Sequence, residues 1–292
     1  DGEVLTSTGA GSPPAFEAAA GGGDKQNFII DPFFTQFPDS AITGASTSRF
    51  GAIWKMQTNG SAARYTITQE TTVPTVAQAG YKIPYSMKFL VTTAEASLAS
   101  SDRSGIRCNI TGPTYAMIHQ QEYTFSCWML VNGVTDDAAW KVPFAFSNTD
   151  NSRAYLKDVT IASDNTWQYV SVIVPADTTG TYLFTEADVG LIIDIGLAVG
   201  TDRHGTDEAW ASGDVRATSS SSNIVNQAND EIYLTACQLE LGGTATRCYS
   251  PPIATVIDQV DYYVQRYQYD GAANETIASG YCTDTSRSQS TI

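Results

Sequence analysis

From Asn27 onward the chain is built of short runs in which apolar and polar side chains alternate. Alternate residues of an extended strand point to opposite faces, so period-2 spacing marks half-buried strands. In 85–91, Tyr85, Met87, Phe89 and Val91 share a face. In 123–131, Tyr123, Phe125, Cys127, Met129 and Val131 do so, and in 191–199, Ile193, Ile195, Leu197 and Val199. Segments 64–68, 105–110 and 232–241 are read as strands too. Segment 167–174 sets Trp167, Tyr169, Ser171 and Ile173 against Gln168, Val170, Val172 and Val174, which predicts a strand buried on both faces. Clusters of Gly, Asn, Asp, Ser and Pro separate the runs, as turns require. Many short strands with few helical windows predict an all-β sandwich, jelly roll or barrel. One segment departs from the pattern. After Pro251 and Pro252, the residues Ile257, Val260, Val264 and Tyr267 recur near a 3.6-residue period, which predicts one short helix over 257–267.

The first 23 residues differ in texture. Gly9, Gly11, Pro13, Pro14 and the Gly21-Gly22-Gly23 run punctuate them too densely for a core-forming element, so they read as a linker or the end of a shaft. Two long polar loops are predicted, 133–143 with Asp136, Asp137 and Trp140, and 199–229 with Asp202, His204, Asp207, Glu208 and Trp210. Long loops on a β frame are often functional. A tryptophan in such a loop either packs down or meets a partner.

Composition narrows the function. The 292 residues carry 16 Lys and Arg against 31 Asp and Glu, a net charge of −15. That balance argues against a nucleic-acid surface, which needs clustered cations. Aromatics at 11% exclude wholesale disorder. No apolar run approaches the ~18 residues of a membrane helix; the best, 191–199, is short and carries Asp194. No signal peptide is visible after Asp1, and the chain reads as processed or as a piece of a longer protein. The five cysteines are widely spaced without a CxxC pair, which predicts buried free thiols rather than a zinc site.

Catalytic constellations are hard to assemble. A Ser-His-Asp triad needs a histidine base, and His119 and His204 are the two histidines, neither beside a GxSxG elbow. His119 reads as a turn histidine. His204, within Asp202-Arg203-His204-Gly205-Thr206-Asp207, could ligate a metal, hold a sugar or sit at a solvated loop tip. The pairs Asp136/Asp137 and Asp207/Glu208 are adjacent, so on an extended chain they point apart and make poor acid/base couples. No EF-hand spacing or phosphate-cradling glycine loop occurs. Calcium, which takes carboxylates and carbonyls from loops, is the ion this composition would suit in a structural role. What remains is binding: aromatic faces stack on sugars while Asp, Asn and Gln fix hydroxyls. The same aromatics would also serve as the core of a structural protein.

Several motifs, in order, resemble a domain of bacteriophage tail-fibre and related virion proteins. Cys237-Gln238-Leu239-Glu240-Leu241-Gly242 with Ala245-Thr246-Arg247 resembles its "QLE-x-G-x-x-AT" ending, and Val264-Gln265-Arg266-Tyr267 stands where a "CQRYY"-like helix follows. Asn27-Phe28-Ile29-Ile30-Asp31 resembles its opening, 123–128 its "hT-x-S-x-W" strand, and Trp167 to Pro175 its "W-x-x-h-x-h-x-h-P" strand. Residues 4–14 look like a segment seen at fibre shaft ends. The departures are Arg247-Cys248-Tyr249 where Phe usually follows Ala-Thr, and Val264 where Cys is common.

The resemblance implies a carbohydrate-binding-module-like jelly-roll head, expected to form a homotrimer with other virion proteins as partners. The expected fold is all-β, a jelly-roll sandwich with an extended N-terminal shaft and one short C-terminal helix. The expected parts are a shaft end or linker (1–26), a head (27–250) and a helix-containing connector (251–292) that opens a truncated second β domain. The expected role is a non-catalytic receptor-binding head, located on the virion and extracellular after release. It would recognise host cell-surface polysaccharide without a cofactor, binding no nucleic acid and spanning no membrane. Trp140, Trp210, Asp202, His204 and Asp207 are the expected glycan contacts. The alternatives are a purely structural virion protein (head fibre, decoration or tail connector) and a polysaccharide depolymerase.

Overall fold

The computed structural model describes residues 3–6, 15–18, 26–37, 41–133 and 139–267, with side chains in 26–37, 41–133 and 139–261. Asp136, Asp137 and Cys282 lie outside the described residues. The strands are β1 (Glu3–Thr6), β2 (Ala15–Ala18), β3 (Ile42–Ala45), β4 (Trp54–Asn59), β5 (Arg64–Glu70), β6 (Ser86–Thr93) and β7 (Arg103–Thr111). They continue as β8 (Tyr123–Asn132), β9 (Trp140–Ser147), β10 (Arg153–Ile161), β11 (Gln168–Val174), β12 (Val189–Val199), β13 (Ala209–Ser212) and β14 (Glu231–Leu241). Helices α1 (Val76–Ala79) and α2 (Gly112–Ala116) are single turns, and α3 (Ile253–Tyr267) follows the last strand.

Two six-stranded antiparallel sheets stack as a jelly-roll sandwich. The first runs β13-β10-β9-β12-β7-β4 and the second β11-β8-β14-β6-β5-β3; β1 and β2 pair separately. Strand alternation builds the interior. Trp140, Val142, Phe144 and Phe146 of β9 meet Tyr123, Phe125, Cys127 and Met129 of β8 in one continuous buried cluster. Phe125 lies with its ring centroid 6.0 Å from Phe144 and 6.2 Å from Phe146. Cys108, Cys127 and Cys237 are buried within it, and with the half-buried Cys248 they are free thiols, as their spacing predicts.

Strand β11 differs from its sequence reading. Val170, Val172 and Val174 face the core, but Tyr169 and Ile173 are exposed, so the strand is buried on one face only. It forms the edge of the second sheet, where that face is left largely to solvent. Helix α3 starts earlier than its periodicity predicts, directly after Pro252, and buries Val256. No described helix is long and apolar enough to cross a membrane.

The residues of the opening and closing motifs stitch the fold together. Asn27 Nδ2 donates to the Cys237 and Tyr249 carbonyls at 3.1 and 3.0 Å, and its Oδ1 accepts from the Leu239 amide. Gln238 Oε1 accepts from the Tyr249 amide at 2.7 Å. Glu240 accepts from the amide and hydroxyl of Thr246, both at 2.7 Å. This latch holds the segment after β14 across the outer face of the second sheet and gives buried Gln238 and Glu240 the partners that buried polar groups require.

Candidate functional site

Because Cys127 and Met129 point into the core, Trp128 and Leu130 must point out of the second sheet. The register places Tyr169 of β11 directly opposite Trp128, and Tyr233 of β14 opposite Leu130. The Trp128 and Tyr169 rings lie 5.5 Å apart at 54°. Next to them, Trp167 meets Tyr233 edge to face at 6.0 Å. Lys88 lies across from Tyr233, 3.4 Å from Glu70 and 3.6 Å from Glu231. Trp167, Tyr233 and Leu130 are nearly closed off, but Trp128 is half-buried and Tyr169 is 44% exposed. The Tyr169 hydroxyl reaches the Thr246 carbonyl at 3.4 Å, which fixes the ring against the latch segment. The outer face of β8 and β11 therefore presents a tilted pair of rigid aromatic rings, bordered by the hydroxyl of Ser171 and flanked by Ile173. Flat apolar rings beside hydroxyls can hold a ligand that has both an apolar face and polar edges.

The five residues singled out in the sequence are not brought together. Trp140 begins strand β9 instead of sitting in a loop. It is 4% exposed, because its indole continues the inward row with Val142 and Phe144, so it has no open ring face. Trp210 lies on edge strand β13, opposite Tyr155. Its ring is 5.5 Å from that tyrosine, with the Arg153 guanidinium over it, and its Nε1–H donates to the Pro175 carbonyl. Asp202 is exposed and accepts from Ser100 Oγ at 2.9 Å. His204 Nε2 donates to the Val199 carbonyl at 3.1 Å. Asp207 accepts from the Asp158 amide at 2.7 Å and lies 3.7 Å from Lys157 Nζ. The other four, Asp202, His204, Asp207 and Trp210, fasten different parts of the 200–217 loop to the frame. No group of three or more His, Cys, Asp or Glu side chains that could hold a metal ion is present among the described residues.

The most concentrated electrostatics lie on the other sheet. Asp194, outward on β12, accepts from Arg107 Nη2 at 2.6 Å and Nε at 3.2 Å, and Arg216 Nη1 lies 3.1 Å away. Burial alone would raise the Asp194 pKa. The guanidinium groups of Arg107 and Arg216 overcome that and hold it at about 2. Arg216 also donates to Ser147 Oγ and to Asp214, so it ties the 200–217 loop over the first sheet. In the sequence Asp194 stands out only as the charge in an apolar run, and nothing near it marks its partners. The visible signal was Arg103-x-Gly105-x-Arg107, a strand whose outward positions carry two arginines about a glycine.

No family model matches the chain, and no curated protein matches it. Solved structures do. An enzymatically active domain of tailspike protein 4 from bacteriophage CBA120 shares 11% identity at a TM-score of 0.36; the match covers 65% of this chain and 19% of that one. A candidate sugar-binding protein from Bacteroides thetaiotaomicron shares 12% identity at a TM-score of 0.43, covering 74% of this chain and all of that one. A family 11 carbohydrate-binding module from Clostridium thermocellum, in complex with a mixed-linked tetrasaccharide, shares 11% at a TM-score of 0.31 and covers 65% of this chain and 89% of that one. At such identities and scores the architecture is read from this chain's own strand order and register.

Proposed function

We propose that this chain is a non-catalytic glycan-binding head, carried on a bacteriophage fibre as a homotrimer, and that saccharide rings stack on the Trp128–Tyr169 pair. The observation that carries this reading is the exposure of Tyr169 beside half-buried Trp128 on an outer sheet face. An outward tryptophan and tyrosine in register cost hydration unless they serve a contact, and sugar C–H faces are suited to them. The motif order shared with fibre proteins supports the virion setting. Three carboxylates are shifted in the direction that favours the anion. Asp150 is shifted down by Ser152 hydrogen bonds, while at Asp177 and Asp194 burial is overcome by hydrogen bonds and guanidinium groups. A glycosidase acid needs the opposite shift.

The test is a glycan array probed with the wild-type chain and with Trp128→Ala and Tyr169→Ala. Each truncation is expected to weaken binding by roughly three- to tenfold, the worth of one aromatic contact. Binding that survives the double substitution unchanged would remove the platform from the site.

A further inference from the structure

The latch segment that follows β14 carries an arginine. Thr246 is held by Glu240 through its amide and hydroxyl, and its carbonyl accepts from the Tyr169 hydroxyl at 3.4 Å. Arg247, the next residue, is therefore set down beside the aromatic pair. Its guanidinium carbon lies 4.4 Å from the Tyr81 ring centroid, within the range of a cation–π contact. Tyr81 in turn is packed with Ile83 and Ala236, and Trp128 and Cys248 border the same cluster. Burial raises the Tyr81 phenol pKa, Cys248 and Tyr169 add to that, and Arg247 opposes it, so these groups share one electrostatic neighbourhood. Arg247, Tyr81, Trp128 and Tyr169 thus gather on the outer side of the second sheet.

Arg247 is exposed, and among the described residues its contact is the Tyr81 ring, with no carboxylate paired to it. Glu240, beside it in the latch, is buried and committed to Thr246 and Gln238. A guanidinium over a ring uses its flat face and leaves its edge of N–H donors available. That fork matches a carboxylate in two parallel hydrogen bonds. The ring beneath also restricts the side chain in advance, which lowers the entropy lost when a ligand binds. In a chain of net charge −15 the general field repels polyanions, so a single arginine fork suits one carboxylate at a time.

We propose that Arg247 extends the Trp128–Tyr169 pair into a site for an acidic saccharide. A sugar ring stacks on the aromatic pair, and a carboxylate on that sugar, as in a uronic acid, pairs with the guanidinium edge. This rests on the glycan reading above and gives it a substrate class.

The experiment is an array printed with oligosaccharides of galacturonate, glucuronate and mannuronate, each beside its methyl ester and beside the neutral oligosaccharide of the same configuration. The wild-type chain is expected to bind a free acid about tenfold more tightly than its ester, in keeping with a charge-assisted bidentate contact, and less tightly as salt is raised. Arg247→Gln should remove that preference, and Arg247→Lys, which keeps the charge without the fork, should restore part of it. Equal binding of acid and ester, or binding confined to neutral sugars and weakened by Trp128→Ala, overturns this inference and leaves the glycan reading standing. A preference for acids that survives Arg247→Gln places the carboxylate elsewhere and overturns it too. Acid binding that needs Arg247 but is unchanged in Trp128→Ala and Tyr169→Ala defeats the stacking on which both readings rest. Silence across the array defeats both. The comparison of acid with ester uses the wild-type chain alone, so a misfolded variant does not cloud the result.

Discussion

Trp128 and Trp140 carry the same indole and meet opposite environments, and alternation decides which. Trp128 falls between Cys127 and Met129, which are inward, and so turns out; Trp140 opens the inward row of β9. The first placement was implicit in the sequence. The second was obscured by Lys141 and Pro143, which break the apolar texture of a strand whose inward positions are nonetheless regular. Trp140→Ala is expected to cost about 3–5 kcal/mol of stability, read by chemical denaturation, with glycan binding unchanged at a temperature where the variant is folded. A selective binding loss at full stability would return Trp140 to the site. Asp194 gives a pH prediction. Its folded pKa of about 2 lies below an unfolded value of about 3.9, so its contribution is complete above pH 4 and is lost as pH falls toward 2. Asp194→Asn leaves Arg107 and Arg216 without their carboxylate. It should cost about 3–5 kcal/mol at pH 7, and acid denaturation curves of the variant should lack that part of the pH 4 to 2 slope. An unchanged slope would show that the buried trio is not what titrates. Its partners were illegible in sequence because Arg107 and Asp194 are 87 residues apart and no local period links them.

Among the elements, β14 shows how a pattern can be legible and still misleading. Its inward residues are Ile232, Leu234, Cys237 and Leu239, so the alternation slips once. The slip is a bulge: the pairing with β8 jumps between Thr235 and Gln238, and Ala236 adopts φ +50. One extra residue keeps both halves of the strand in phase with the core. The sequence predicts a polar loop over 199–229, yet the segment contains β13, a three-residue 3-10 turn, and a bridge from His204 to Ala217. Its order comes from contacts with β7, β10 and β12, which no local pattern records. Arg216 is the main tether, so Arg216→Met should lower hydrogen-exchange protection at the Gly205 and Arg216 amides, which bond to the Ala217 and Arg203 carbonyls. Amides of β8 should keep theirs. Equal loss in both places would mean global destabilisation instead of loop release.

For the whole molecule, the alternating strands and the helix after Pro252 are enough to imply the sandwich, whereas the pairing of strands distant in sequence depends on contacts that no local pattern records. The expected homotrimer is open to measurement by light scattering on the purified chain, where a mass of three chains supports it and a monomer at micromolar concentration removes it. Avidity matters to the glycan reading, because three linked sites can raise a weak single-site affinity by ~10²–10⁴. Trimeric protein should therefore hold a polymeric glycan far more tightly than its tetramer, a difference absent in a monomer.

Asn27 has a mechanical consequence. Its side chain binds β14 and Tyr249 together, so the chain arrives at residue 27 and departs at residue 249 within one hydrogen-bonded knot. Tension applied to the flanking segments would pass through that knot and bypass the two sheets, leaving the sandwich slack beside the line of force. Asn27→Ala should move the strain onto β14 itself, and the pulled sandwich would then begin to unravel from its central strand.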